Sequence, residues 1–136
     1  MAGRAQGERV GPGLSGIVEA ATKIAWLALA VIHLPPAAVL VAPGLAERLY
    51  AVDPTGAPGV LIVHRGALFL GLVILALWAM LDPALRLAAS TVLIVSVVGF
   101  LVVYARTAPN ELRAIAVADT IALAPLLWVA WRAWAA

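Results

Sequence analysis

The residues best able to carry chemistry are ionisable side chains that stand inside long apolar stretches. His64 and Arg65 lie within VLIVHRGALFLGL, residues 60–72, and Asp119 lies in the last apolar stretch of the chain. Asp119 is about eight residues into that stretch, roughly 12 Å along a helix, so its short side chain cannot reach an interface. Such a carboxylate must be paired, be protonated or face a wet cavity.

Several partners are open to Asp119. Arg65 or Arg106 could pair with it across a bundle, and His64 could share a proton with it. A structural polar contact between helices is the alternative, since polar side chains often hold membrane helices together. The arginines at positions 65, 106 and 113 lie within about two turns of an interface, and we interpret them as side chains that snorkel to water.

The composition identifies the solvent of this chain as lipid. Of its 136 residues 65% are hydrophobic and 12% are charged, and the mean hydropathy is +1.06. A soluble domain could not cover its surface with so few polar groups. The nine Lys and Arg residues are scattered, which excludes a nucleic-acid interface, and the absence of cysteine excludes thiolate chemistry.

Four apolar stretches are long enough to cross a bilayer. They predict an all-α, up-and-down four-helix membrane bundle with spans at residues 17–41, 60–81, 84–104 and 112–134, after a disordered tail at residues 1–16. Asp82 and Pro83 predict a tight hairpin between the second and third spans. Leu45, Leu49 and Val52 predict a short helix lying in the interface.

The predicted location is the bacterial inner membrane with both termini in the cytoplasm, although basic residues divide five against four between the two sides. Trp26, Trp78, Trp131 and Trp134 are interpreted as interfacial anchors. The lipid bilayer is the first predicted partner. A second is another copy of the chain, because so small a bundle encloses little by itself.

Prolines and small residues mark two further features. Pro35 and Pro36 remove backbone donors just after His33, which predicts that the first span kinks or opens there. Gly66, Ala67 and Gly71 follow His64, and Gly71 shares its helix face. These small residues permit close approach of either a neighbouring helix or a flat ligand.

Most site chemistries are missing from the sequence. It has no partnered serine nucleophile, glycine-rich phosphate loop or closely spaced zinc ligands, and no inverted repeat of the kind that transporters carry. Haem requires less, because one neutral imidazole can serve as the axial ligand against an apolar wall. His64, with Gly66 and Gly71 nearby, meets that minimum.

The stretches HRGALFLG and GFLVVYARTAPN resemble the corresponding parts of bacterial styrene oxide isomerases, small four-span membrane proteins that bind haem b and isomerise an aryl epoxide to an aldehyde. The resemblance implies that His64 is the axial haem ligand, with Gly66 and Gly71 at the family's glycine positions. The family's substrate-side asparagine corresponds here to Leu70, and its tyrosine to Leu101. The layout is equally similar to small four-span bacterial membrane proteins of unassigned function.

Two functional hypotheses follow. In the first, His64 holds haem b, whose ferric iron polarises a small apolar substrate such as an epoxide, and Asp119, Tyr104 and Arg106 are the polar catalytic groups. In the second, the protein is a non-catalytic structural or accessory membrane subunit, and its polar residues merely lock the helices together.

Overall fold

The computed structural model describes residues 13–135, and within that range every regular element is helical. The five α-helices are α1 (Leu14–Ala38), α2 (Leu45–Tyr50), α3 (Ala57–Leu81), α4 (Arg86–Thr107) and α5 (Arg113–Trp134). Short 3-10 turns, Pro83–Leu85 and Asn110–Leu112, lead into α4 and α5. The predicted all-α class is confirmed.

Four of these helices are long and apolar enough to span a membrane. Each spanning segment, counted with its 3-10 turn, has 25 residues, which at 1.5 Å per residue exceeds a hydrocarbon core about 30 Å thick. Helices are required there, since lipid offers no partner to backbone N–H and C=O groups. The chain is therefore a small integral membrane protein.

The structure extends two of the predicted spans at their starts. Helix α1 begins at Leu14 rather than residue 17, and α3 begins at Ala57 rather than residue 60. The predicted disorder of residues 1–16 concerns mainly residues 1–12, which lie outside the described part of the chain. Of the remaining four residues, 14–16 already belong to α1.

The spanning helices form an up-and-down bundle. Helix α1 packs against α3 and α5, α4 packs against α5, and α3 and α4 make the weakest of the lateral contacts. The largest fully buried side chains lie mostly at the middle of the bundle and in the half that contains the α3–α4 hairpin. They include Trp26, Leu29, Leu93, Leu126, Val97 and Val129, while Val39 lies at the opposite end.

The α3–α4 hairpin forms as the sequence predicts and is tied to α1. The Asp82 carboxylate accepts a hydrogen bond from the Ala84 amide at 2.9 Å. The Arg86 guanidinium donates through Nε to the Ala79 carbonyl at 3.1 Å and through its other nitrogens to both carboxylate oxygens of Glu19, at 3.0 and 2.6 Å. One side chain thus joins the ends of α3 and α4 to the first turns of α1.

One expectation about α1 is wrong and another is answered in part. Trp26 is not an interfacial anchor, because it is fully buried in the core, whereas Trp78, Trp131 and Trp134 are exposed. The helix does not open at His33, since it continues through Pro35 and Pro36 to Ala38, and the alternative of a kink there stays a prediction. Neighbouring helices allow such prolines in membrane bundles.

A short helix, α2, forms where the sequence predicts one, although Val52 lies outside it, and a compact loop returns the chain from it to α3. The location of α2 in the membrane interface stays a prediction. Ala51 ends α2 in the left-handed conformation with φ of 53°. Backbone and side-chain hydrogen bonds from Thr55 hold the pKa of the exposed Asp53 carboxyl below its usual value. Gly59 lies directly under this loop, where a Cβ would overlap the Asp53 carbonyl oxygen.

Removal of the hydrogen bonds that Arg86 makes to Glu19 and Ala79 should clearly reduce the stability of the protein. Arg86→Gln loses the paired hydrogen bonds to Glu19 and the bond to Ala79, which should cost about 2–3 kcal/mol and lower the apparent Tm in detergent. Arg113→Gln is the matched control, because Arg113 is exposed and makes no side-chain hydrogen bond within residues 13–135. Equal Tm values for the two variants would show that the tie is not stabilising.

Candidate functional site

The half of the bundle opposite the α3–α4 hairpin contains a cavity of about 270 Å³. The C-terminal part of α1, the N-terminal parts of α3 and α5 and the C-terminal part of α4 form its walls, and α2 lies across its mouth. The walls are mainly apolar, with Ile32, Phe69, Phe100, Ile115 and Ala118 among the lining residues. Polar side chains line it from all four spanning helices, Ser96 being the one on α4, and from α2.

His33 reaches the cavity from α1 with a defined tautomer. The residue is 2% exposed, and its Nδ1 lies 2.7 Å from the Leu29 carbonyl oxygen. A carbonyl can only accept, so Nδ1 carries the proton and donates it. The neutral ring then has its lone pair on Nε2, for which no residue in the described range is a hydrogen-bond partner.

Arg65 enters the same cavity from α3. Its guanidinium carbon lies 5.2 Å from the centre of the Phe69 ring, one helical turn further along, which is a cation–π distance. The ring of Phe69 in turn lies 5.9 Å from that of His33. The snorkelling interpretation therefore does not describe Arg65, because its charged group lies over an aromatic ring that lines the cavity.

Asp119 is half-buried and lines the cavity from α5. No cation in the described part of the chain is within salt-bridge distance of it, and no residue there donates a hydrogen bond to it. Arg65 shares the cavity with Asp119 but does not pair with it. The predicted pairing with Arg65 or Arg106 is therefore not formed, and the carboxylate faces the cavity.

Helix α2 adds the phenol of Tyr50 to the polar side chains of the cavity. Tyr50 lies at the mouth of the cavity, and burial raises the pKa of its hydroxyl, with the charge of Asp119 adding to the rise and Arg65 opposing it. Tyr50 is thus a neutral hydroxyl at physiological pH, close to both charged groups. Arg48 and Glu111 also line the mouth, on the water side.

A second, more open groove of about 460 Å³ adjoins the cavity. It is lined by α2 and the loop that follows it, by Ile62 on α3, by Phe100 on α4 and by the turn before α5, and it shares Tyr50, Arg65, Phe100 and Glu111 with the cavity. The two spaces meet at Arg65.

The residues predicted to bind haem do not lie in this cavity. His64 is exposed on the outer face of α3, and Gly71 is exposed on the same face, with no atom within 4 Å of where its Cβ would be. Gly66 is buried on another face, where an added Cβ would lie 2.8 Å from the Leu40 amide nitrogen. Gly66 therefore permits close packing of α3 against the end of α1, and only His64 and Gly71 share an open surface.

The three predicted catalytic residues are also separated. Asp119 lines the cavity, as described above. Tyr104 does not, but its ring stacks on that of Phe100 with centroids 6.0 Å apart, so it supports a wall of the cavity. Arg106 is exposed near the end of α4.

Sequence reasoning did not assign Arg65, Tyr50 or Phe69 to a site. One signal was present, because Arg65 and Phe69 are four residues apart and so share a helix face. Tyr50 ends an amphipathic helix that had to lie across one end of the bundle. No pattern in the sequence tells which of the two histidines, His33 or His64, faces inwards.

Within residues 13–135 no group of three His, Asp or Glu side chains is placed to hold a metal ion. No protein family, curated protein or solved structure matches the chain. The site is therefore interpreted from its own residues and geometry.

The two glycines of α3 should respond differently to the same substitution. Gly66→Ala forces a methyl group against the Leu40 backbone and should cost about 1–3 kcal/mol through overpacking, seen as a lower Tm in detergent. Gly71→Ala places its methyl group in open space and should leave the Tm unchanged. A loss of stability in Gly71→Ala equal to that in Gly66→Ala would contradict this assignment of the α1–α3 contact.

Proposed function

We propose that this membrane protein binds a small, mostly apolar molecule in the cavity and holds its polar end with Asp119 and Arg65. The observation that supports this is the presence of two oppositely charged side chains that line one apolar cavity and do not pair. Charges attract strongly in a low-dielectric medium. Left apart, they offer a donor and an acceptor to the polar end of a ligand.

The size and lining of the cavity limit the molecule. A buried apolar cavity of about 150 Å³ is large enough for benzene, so about 270 Å³ accommodates an aromatic ring with a short substituent. The volume is close to the lower end of small-molecule sites. Phe69 and Phe100 provide flat apolar contacts for such a ring.

An isomerase-like reaction on an epoxide, which the resemblance to styrene oxide isomerases implies, is compatible with these groups. The rearrangement breaks one carbon–oxygen bond and moves a hydrogen to the neighbouring carbon, so it needs no co-substrate. Arg65 and Tyr50 would donate hydrogen bonds to the oxygen as negative charge develops on it. Asp119 would stabilise the positive charge that develops on the carbon.

A structural or accessory role is the alternative. It requires that the polar residues lock the helices, and in the opposite half of the bundle Glu19 and Arg86 do so. Arg65 and Asp119 do not bond to each other or to neighbouring helices within the described chain. This contrast between the two halves favours ligand binding at the cavity.

Haem b at His64 is a second candidate, and the exposure of His64 and Gly71 on one face of α3 is the observation in its favour. His64 would hold the iron there, and ferric iron would supply Lewis acidity when bound. One chain covers only one side of that surface. This candidate therefore requires the homo-oligomer expected from the sequence, with a second copy closing the site.

Filling the cavity tests the main proposal. Ala118 lines the cavity, so Ala118→Leu should abolish the rise in Tm that styrene oxide or 2-phenylethanol produces in the wild-type protein, because a ligand stabilises the state that binds it. Ala124→Leu, on the exposed side of the same helix, should retain the rise. Failure of both molecules to stabilise the wild type, or equal responses in the two variants, would refute the proposal.

The optical spectrum tests the second candidate. If His64 is an axial ligand, protein purified from haem-supplemented cells should show a Soret band, which His64→Ala should remove and Gly71→Ala should weaken. His33→Ala is the control, since His33 lies in the cavity and should leave the band unchanged. A colourless wild-type protein, or a band that survives His64→Ala, would exclude haem ligation by His64.

A further inference from the structure

We infer that the molecule bound between Arg65 and Asp119 carries a hydroxyl group, as in a small aryl or alkyl alcohol, and that it reaches the cavity through the adjoining groove. This inference rests on the proposed binding function and specifies the ligand and its route. Four observations carry it.

The first observation is the hydrogen-bonding character of the two charged groups. The guanidinium of Arg65 has only donors, and an ionised carboxylate such as that of Asp119 has only acceptors. A single atom that satisfies both must accept one hydrogen bond and donate another. A hydroxyl oxygen does this, whereas an epoxide or ketone oxygen only accepts and an ammonium group only donates.

The second observation is that Arg65 is held in place without Asp119. Its guanidinium lies over the Phe69 ring at 5.2 Å, and Phe69 packs against the buried ring of His33. The donor therefore keeps its position on one wall of the cavity while the acceptor is on another helix. The two side chains do not form a salt bridge, and a polar atom of a ligand can therefore lie between them.

The third observation concerns additional acceptors. Pro36 has no N–H, so the carbonyl of Ile32 lacks its usual helical donor, and both residues line the cavity. The Nε2 of His33 accepts as well, because Nδ1 carries the ring proton. Each of these acceptors, like Asp119, can take the proton that a hydroxyl ligand donates, while Arg65 and the hydroxyls of Ser96 and Tyr50 can donate to its oxygen.

The fourth observation is the groove itself. It is lined by α2 and the loop after it, by Ile62 on α3, by Phe100 on α4 and by the turn before α5, and it meets the cavity at Arg65. The α3–α4 contact on this side is the weakest among neighbouring spanning helices. A small molecule that enters by this groove reaches Arg65 first.

A series of matched molecules tests the ligand class. Ethylbenzene, styrene oxide, 2-phenylethanol, phenylacetate and 2-phenylethylamine share a ring and a short chain and differ in polar group. Binding is measured by ligand-observed NMR with the protein in nanodiscs, with empty nanodiscs subtracted for partitioning. We expect 2-phenylethanol to bind about tenfold more tightly than ethylbenzene or styrene oxide, as one charge-assisted hydrogen bond would provide.

Variants assign that preference to the two charged groups. Asp119→Asn and Arg65→Gln should each reduce the advantage of 2-phenylethanol over ethylbenzene by about tenfold, while the binding of ethylbenzene stays unchanged. Arg106→Gln is the control, because Arg106 is exposed and outside the cavity. Ile62→Trp should slow the exchange of 2-phenylethanol without changing its affinity.

The outcomes separate this inference from the proposed function. If the molecules bind in a manner that Ala118→Leu abolishes but styrene oxide or an ion binds most tightly, the proposed function stands and the hydroxyl assignment is wrong. If ethylbenzene binds as tightly as 2-phenylethanol, the hydroxyl group contributes nothing to the affinity. Water alone then bridges Arg65 and Asp119, and the assignment is again wrong. If none of the five molecules binds in an Ala118-dependent manner, the proposed function itself fails.

Discussion

The close approach of α3 to the end of α1 is the contact on which the arrangement of the cavity depends. Gly66 packs against the backbone at Leu40 so tightly that a methyl group cannot be inserted. Without a side chain between them the two helices meet along one seam, and this brings the ring of Phe69 to 5.9 Å from that of His33. Arg65, next to Gly66, is thereby directed over Phe69. One glycine thus positions an imidazole and a guanidinium that lie on different helices.

The bundle solves the problem of polar groups in lipid differently in its two halves. In the half with the α3–α4 hairpin, Arg86 satisfies its donors on Glu19 and Ala79, and the side chain of Trp128 donates to Thr22 at 3.3 Å. The alanine-rich core around those bonds leaves little space. In the other half Arg65 and Asp119 remain unpaired beside a cavity. The two halves of the same four helices thus treat their charged side chains differently.

Much of the fold follows from the sequence because it depends on properties that a single helix reveals. Length and apolarity define the four spans, and the Asp82–Pro83 pair defines the hairpin. An apolar face opposite a charged face defines α2. The up-and-down order then places His33, His64, Arg65 and Asp119 in one leaflet. These features require no knowledge of which face of a helix meets a neighbour.

The composition of the site is less predictable because it depends on helix rotation. Successive residues of a helix differ by about 100° in direction, so His64 and Arg65 point to different surroundings. Every face of α3 is apolar enough to meet either lipid or protein, and its sequence does not decide between them. Contacts along the buried face of α3, among them that of Gly66 with Leu40, fix the rotation that turns Arg65 inwards and His64 outwards. The same uncertainty applies to Trp26, whose indole suits an interface as well as a core.

The constraint that makes the chain helical also bears on its function. In lipid each backbone donor and acceptor must find a partner, because no water is present to replace it. The same cost applies to side chains, and it is greater for charged ones. Arg65 and Asp119 are close to each other and to the neutral hydroxyl of Tyr50, yet neither bonds to another described residue. Among the described residues the buried indole nitrogen of Trp26 also lacks a partner, but it is enclosed in the core, whereas Arg65 and Asp119 line a cavity with room for the ligand that we propose.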